Sequence, residues 1–377
     1  MTRLALFLPD LDGGGSQRTL VNLTRSLRAV GRDATLLAPP RDGPALRWLD
    51  DLAAFRSLEV DRLRYAVGPL RRALRTGRYD ALLASGSDAN LIAALAVATL
   101  PPSARPALLL RETNSLAARQ SVSALQRACL RRVYPRAQAM IALSQGVGEE
   151  LARDYGVARS RLHVIGNPVD VDALTAEAAE AAQRPPPWNR FWPDPAPTVV
   201  AIGRLHRQKG FDRLLNALAA MRRRDVRLVI LGDGGERRAL EAAVATLGLG
   251  DRVKLAGFQE APAPWLAHAD LFVLPSRWEG FGHVLVEAMA CGAPVIAVDC
   301  PFGPADILTT SDSGLLIAVD PNDDPAVVRR LSEALDAMVE DPERRARLTA
   351  GGRERARAFS AAAISQTYWD AVEAAVR

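Results

Sequence analysis

The chain has 377 residues, of which 49% are hydrophobic and 24% charged, with a net charge of +5; these values fit a soluble globular protein of two domains and exclude a disordered or fibrous one. Its three cysteines form no CxxC pair, which excludes a structural zinc or a disulfide framework and suggests a reducing compartment. Only 5% of residues are aromatic and no basic helix carries interleaved aromatics, so nucleic acid is not an expected partner.

Along the chain, RLALFLP reads as a first buried strand, since its apolar run is too short for a secretory leader. SQRTLVNLTRSLRAVG then reads as a helix, and DATLLAP, DALLASG, ALLLRET, AMIALS and LHVIGN as further strands with helices between them. LIAALAVATLPP stops far short of the roughly 20 residues of a membrane span, so a cytoplasmic protein is expected. Residues 1–185 hold 25 arginines against 18 carboxylates, and 186–377 hold 23 cationic residues against 25. The basic half includes residues 117–140, AARQSVSALQRACLRRVYPRAQAM, expected as an arginine-rich helix with Leu125, Cys129 and Val133 on one stripe. Such a stretch either packs as a domain helix with a solvated arginine face or seats the domain on anionic lipid.

After NPVDVDAL comes RPPPWNRFWPDPAPT, too proline-rich for a regular helix and expected as a linker. The alternation then restarts with TVVAIGRL, RLVILGDG, VKLAGF, LFVLPS, APVIAV and GLLIAV as strands. Two parallel-sheet α/β domains are therefore expected, with ligands at the carboxyl ends of the strands in a cleft between them. The expected boundaries are 1–172 for the first domain, 173–197 for the linker, 198–352 for the second domain and 353–377 for a closing helix.

Within the second half, LFVLPS leads through RWEGFG into HVLVEAMAC, a helix expected to start near Gly282 and to end at Gly292 and Pro294. The free N–H groups of Phe281, Gly282, His283 and Val284 at its start suit an anion, and Gly280 and Gly282 let the backbone approach it closely. Glu287 lies about 7 Å further along the helix axis and Glu279 stays in the loop. A nucleoside diphosphate sugar matches that spacing, with the diphosphate at the helix start, ribose on Glu287 and sugar hydroxyls on Glu279. Upstream, TVVAIGRLHRQKGF sets Gly203 and Arg204 just after a strand and Lys209 before a helix; two cations there stabilise a leaving diphosphate as a metal ion does elsewhere. The turn at Gly232 in GDGG and the loop carrying Phe258 are candidates to hold the base.

The pairing of GRL…KG with EGFG…E resembles the retaining glycosyltransferases of family four, which have the GT-B fold. The resemblance extends over nearly the whole chain, from GGGSQRTLVNLTRSLRAVG through VIGNPVD to FSAAAISQTYWDAV. DCPFGPADIL and RETNS resemble the branch that builds surface glycans on polyprenyl diphosphate. The resemblance implies that Arg204 and Lys209 bind the donor diphosphate, that Glu287 holds ribose, and that Glu279 with Gly280, Phe281 and Gly282 faces the transferred sugar. Gly14 and Gly15 resemble the loop of the first domain that approaches donor phosphate and acceptor. Many members place a histidine near the reacting sugar where this chain has RETNS, so Glu112 or Asn114 is expected to stand there. The implied donor is a UDP-sugar carrying an N-acetylhexosamine or hexose, and the implied acceptor a lipid-linked or growing glycan, with no other cofactor. DLD at 10–12 and DVD at 170–172 match a metal-binding pattern, yet no metal is expected.

Four rival readings fit less well. A dinucleotide oxidoreductase would show GxGxxG in place of GGGSQR, and a P-loop enzyme GxxxxGK[ST]. A sugar-nucleotide epimerase of the same fold lacks this combination of motifs, and a degenerate binding scaffold has no need to keep Arg204, Lys209, Glu279 and Glu287 intact.

Overall fold

The computed structural model describes residues 2–12, 15–39, 42–49, 54–117 and 122–377, and the chain divides into two compact units, 1–168 with 361–377, and 169–360. Unit 1 is built on seven strands: β1 (Arg3–Phe7), β2 (Asp33–Ala38), β3 (Phe55–Ser57), β4 (Ala81–Ser85), β5 (Ala107–Glu112), β6 (Ala139–Ala142) and β7 (Leu162–Val164). They pair in parallel in the order β3-β2-β1-β4-β5-β6-β7. Its helices are α1 (Gly15–Ala29), α2 (Val67–Gly77), α3 (Ser87–Ala98), α4 (Ala124–Val133), α5 (Gln145–Tyr155) and the last of the chain, α14 (Ala361–Val376).

The direction of each crossover fixes which face its helix covers. β1–α1–β2 runs one way along the sheet, while the crossovers through α2, α3, α4 and α5 all run the other way. Right-handed connection therefore puts α2 to α5 on one face and α1 on the opposite one, where α14 packs against α1 and strands β4 to β6. The strands are apolar runs because both faces are covered; β4 and β6 are buried throughout.

One polar side chain crosses this core. Arg111, at the end of β5, is fully buried, and its guanidinium donates to Ser85 Oγ at 2.7 Å, to Tyr368 Oη of α14 at 2.9 Å and to Asn167 Oδ1. It ties the sheet to the closing helix and to the segment through which the chain leaves unit 1.

Unit 2 holds β8 (Thr198–Ile202), β9 (Arg227–Leu231), β10 (Val253–Gly257), β11 (Leu271–Leu274), β12 (Val295–Val298) and β13 (Leu315–Ile317), parallel in the order β10-β9-β8-β11-β12-β13. Around them lie α6 (Val171–Ala181), α7 (Phe211–Ala220), α8 (Arg237–Thr246), α9 (Ala263–Leu266), α10 (His283–Cys291), α11 (Pro304–Ile307), α12 (Asp324–Glu340) and α13 (Pro342–Arg357). Chain direction reverses between β8 and β11, so the loops leaving these two strands flank the switch point, where open α/β sheets bind ligands.

Three expectations are corrected. The stretch 173–197 is no linker: α6 begins unit 2, and Trp188 and Trp192 of the proline-rich run are buried, Trp188 at 6.3 Å from the Trp265 ring and Trp192 donating to Asp251 O at 2.7 Å. The units divide instead at 168/169 and 360/361, where Val169 N–H donates to Phe359 O at 2.9 Å, so the returning helix starts at Ala361 and not at 353. The arginine-rich helix expected over 117–140 is α4, which runs only from Ala124 to Val133, with 118–121 outside the described residues; its buried residue is Leu130, while Leu125 and Cys129 are exposed. The two DxD motifs are occupied locally: Asp10 accepts from Asp12 N and Gln17 Nε2, and Asp170 caps α6.

Replacing Arg111 by methionine leaves Ser85, Asn167 and Tyr368 without their buried donor. Urea denaturation is expected to show a loss of roughly 2 kcal/mol or more; an unchanged midpoint would remove Arg111 from this role.

Candidate functional site

β8 leads into a tight loop whose backbone is pinned while one cation stays free. Gly203 N–H donates to Leu231 O at 3.0 Å and Leu205 N–H to Asp233 O at 2.9 Å. Between them Arg204 is exposed and makes no ion pair among the described residues. Gly232 lies so close that a Cβ there would sit 1.9 Å from Gly203 O, at a φ of 140°, so only glycine fits. One turn of 3-10 helix then carries Lys209 back over Gly203, where an added Cβ would stand 3.1 Å from the lysine stem.

Lys209 Nζ meets Glu279 Oε1 at 2.6 Å, and Ser276 Oγ donates to the same oxygen at 2.6 Å. Ser276 and Glu279 are buried in the loop leaving β11, so this cluster joins the exits of the two strands at the switch point. The loop is held from below by a charge network. Arg277 grips Asp212 through two bonds of 2.8 Å and Asp324 through one of 2.7 Å, and buried Arg213 donates to Asp324 at 2.6 Å. The hydrogen bonds that Arg277 donates to Asp212 raise its pKa above the usual arginine value. Burial is the largest single influence and acts against the two carboxylates, but the hydrogen bonds and charge of Arg277, joined by the Arg213 backbone N–H at Asp212 and the Arg213 guanidinium at Asp324, together hold both below the usual range.

After Glu279 the chain turns into α10. Gly282 takes a left-handed conformation as its N-cap, and the N–H groups of Gly280, Phe281, Gly282 and Val284 have no backbone acceptor among the described residues. The helix thus starts at the glycine expected from the sequence, and a helix start of this kind suits an anion. Phe281 is buried edge-on against His283 and Phe359, at 5.6 Å and 5.4 Å. Glu287 is half-buried on the following turn. Burial, and after it the Glu287 carboxylate, push the Cys291 thiol up to about 12, so this cysteine stays neutral beside it.

Sequence reasoning missed how the DCPFGPADIL segment supports this turn. Pro301 O accepts from Glu279 N–H at 3.1 Å, and Gly303, at a φ of 115°, packs so that a Cβ would stand 2.2 Å from Phe281 O. The Pro-Phe-Gly run was a visible signal, but only the fold shows which turn it braces. Phe258 follows β10 with 74% of its surface exposed, and Gly257 O accepts from Gly232 N–H at 2.8 Å.

In unit 1 the outcome is different. Glu112 is fully buried and accepts from Tyr134 Oη and, at 3.2 Å, from Asn90 Nδ2. Burial and then the Glu112 charge raise the Tyr134 phenol well above its ordinary value. The expectation that Glu112 stands at a reacting sugar is therefore corrected: it is spent inside the unit. Asn114 is half-buried, Gly15 opens α1, and Gly14 lies outside the described residues. The described residues contain no group of three or more potential metal ligands and no helix long and apolar enough to cross a membrane.

Known proteins fit this geometry over both halves. Residues 13–173 match the model for Glycosyltransferase Family 4, and residues 187–355 the model for Glycosyl transferases group 1. The lipopolysaccharide core biosynthesis glycosyltransferase LpsE of Rhizobium meliloti is 28% identical over 364 residues, 94% of each chain. A Campylobacter jejuni N-acetylgalactosamine-N,N'-diacetylbacillosaminyl-diphospho-undecaprenol 4-alpha-N-acetylgalactosaminyltransferase is 27% identical over 234 residues, 62% of this chain and 60% of that protein. A Xylanimonas cellulosilytica D-inositol 3-phosphate glycosyltransferase is 34% identical over 254 residues, 64% of this chain and 59% of that one. The matches thus span about three fifths of these last two relatives. Among solved structures, Anabaena Alr3699/HepE in complex with UDP superposes with a TM-score of 0.80 at 23% identity, covering 99% of this chain and 100% of that one. The likeness shows a shared fold.

Two outcomes check the site. Gly303→Ala forces a strained φ and a backbone clash and is expected to lower thermal stability measurably, by about 1–3 kcal/mol; a stable variant would mean that this loop does not brace the turn. Asp212 and Asp324 have folded pKa values below their unfolded ones. Their contribution is thus complete above about pH 4 and is lost as pH falls through the folded values. Melting temperature should fall with acid in that window, and Arg277→Leu should lower it at neutral pH and flatten the acid decline; parallel curves would refute the coupling.

Proposed function

The chain belongs to the family four glycosyltransferases of GT-B fold, and from that premise we propose that it transfers a sugar from a UDP-sugar to a lipid-linked or growing surface glycan with retention at the anomeric carbon. The observation that carries this reading is the joining of Lys209, Glu279 and Ser276 at the switch point of unit 2, between Arg204, which makes no ion pair among the described residues, and the start of α10, where the N–H groups of Gly280, Phe281, Gly282 and Val284 have no backbone acceptor among them. Such a layout offers two cations and unpaired N–H groups to a diphosphate, with carboxylates beside them for hydroxyls.

In this reading the diphosphate lies at the start of α10, between Arg204 and Lys209. Glu287 accepts from ribose hydroxyls, Glu279 from the sugar, and the exposed Phe258 ring stacks beside the base. Gly203 and Gly232 shape the loop under the phosphates, and His283 and Val284 line the helix start. The acceptor hydroxyl oxygen bonds to the anomeric carbon on the face from which the diphosphate leaves. As the carbon–oxygen bond to the leaving group breaks, its phosphate oxygen takes the acceptor proton. The protein supplies orientation and charge stabilisation and no covalent intermediate. With two fixed cations at the leaving group no metal is required, so transfer should proceed in chelator. Support for the donor base comes from the Anabaena structure, solved with UDP and with UDP-glucose, and for the acceptor from the names of the Campylobacter and Rhizobium relatives.

Calorimetric titration with UDP, GDP and ADP tests the donor site. UDP is expected to bind and Glu287→Ala to weaken it, while Arg204→Ala or Lys209→Ala should cut turnover about a hundredfold or more. Absence of binding to all three nucleotides, or full turnover in Arg204→Ala, would overturn the assignment and favour a scaffold.

A further inference from the structure

We infer that Arg355 and Phe359, at and just beyond the end of α13, are positioning residues for the start of α10: together they brace the loop and the ring that set its direction. The inference rests on the donor reading proposed above for its purpose, while the brace itself is argued from contacts within unit 2.

The loop before α11 is strained. Phe302 has a φ of 70° and Gly303 follows at 115°; a residue with a Cβ holds a left-handed conformation only where its surroundings over-determine it. One side of that loop meets the donor turn twice. Pro301 O accepts from Glu279 N–H at 3.1 Å, and Gly303 lies against Phe281 O. Its other side runs into α11, whose Asp306 and Ile307 N–H groups return to Gly303 O at 3.0 Å and 3.1 Å. A helix of four residues has little hold on its own ends.

Arg355 supplies that hold. Its guanidinium donates to Ile307 O at 2.8 Å and to Asp306 O at 2.7 Å, and it lies over the Phe359 ring, 4.7 Å from the centroid. Phe359 is buried and meets the Phe281 ring at 5.4 Å and an interplanar angle of 66°. The contacts close a circuit from Phe281 through Gly303, α11, Arg355 and Phe359 back to Phe281. The N–H groups of Gly280, Phe281 and Gly282 lie on the turn between Glu279 and α10 that this circuit grips, so their direction is set before any anion arrives.

The chemistry of Arg355 fits bracing. Burial lowers its pKa despite the nearby Asp306 carboxylate, and it makes no ion pair among the described residues. The cation is spent on two backbone carbonyls and a ring face, which a planar guanidinium reaches at once and an ammonium does not. Arg357, two residues on, is exposed and pairs with Glu354.

Hydrogen exchange without nucleotide reads the brace, and UDP titration at 25 °C reads its effect. In Arg355→Met the amides of 279–284 are expected to exchange at least about tenfold faster and the Kd for UDP to rise about tenfold. Phe359→Leu should act in the same direction, and Arg355→Lys, which keeps the charge and loses the fork, should show most of the effect in a milder background. Arg357→Gln should change neither readout. A role in stability alone would lower the melting temperature and leave Kd and local exchange as in the wild type; that result in folded Arg355→Lys and Phe359→Leu would overturn the inference. Should the wild type bind no UDP, the donor reading falls, and the exchange comparison still decides whether Arg355 and Phe359 hold the turn.

Discussion

Unit 2 of this molecule depends on one largely buried ion pair, that between Lys209 and Glu279. Taking a carboxylate out of water costs several kcal/mol unless a cation and further donors meet it. Here Lys209 Nζ and Ser276 Oγ converge on a single oxygen, so the loops leaving β8 and β11 cannot be placed independently. The glycines follow from that constraint. Gly203 leaves space for the lysine stem, and Gly210, at a φ of 65°, turns the chain where a Cβ would lie 2.2 Å from Pro275 O. The pairing of GRL…KG with EGFG is thus a packing requirement as well as a chemical one.

A second set of charges shows a division of labour. Arg277, Asp212, Asp324 and Arg213 are consumed by one another and fix the base of the Glu279 loop to the starts of α7 and α12. Arg204 sits on an equally well-fixed backbone yet keeps its guanidinium free. Charges that hold the loop are paired, while Arg204 is presented to solvent with no ion pair among the described residues.

Much of this was legible in the sequence because parallel strands buried on both faces announce themselves as short apolar runs. All six strands expected of the second half are present, and α10 runs from His283 to Cys291 between Gly282 and Gly292, as the glycines predict. Three things were not legible. β3, three residues with a half-exposed pattern, carries no apolar run. The proline-rich stretch resembled a linker because proline excludes helix whether a segment is buried or free; only the tertiary contacts of Trp188 and Trp192 decide which. The stripe of Leu125 and Cys129 matched helical periodicity, but periodicity cannot say which stripe faces the sheet, and on α4 it is the one through Leu130.

Glu112 carries the last step. A nucleophile or general base must reach the reacting atoms, and this carboxylate has no exposed surface and is engaged by Tyr134 and Asn90. Its charge is spent on the core: the charge that lifts the Tyr134 phenol also keeps that hydroxyl a donor, locking α3, β5 and the turn after α4 together. A covalent route to retention through Glu112 would require breaking that network and exposing a buried charge on every turnover. Displacement from the face of the leaving diphosphate needs no such group.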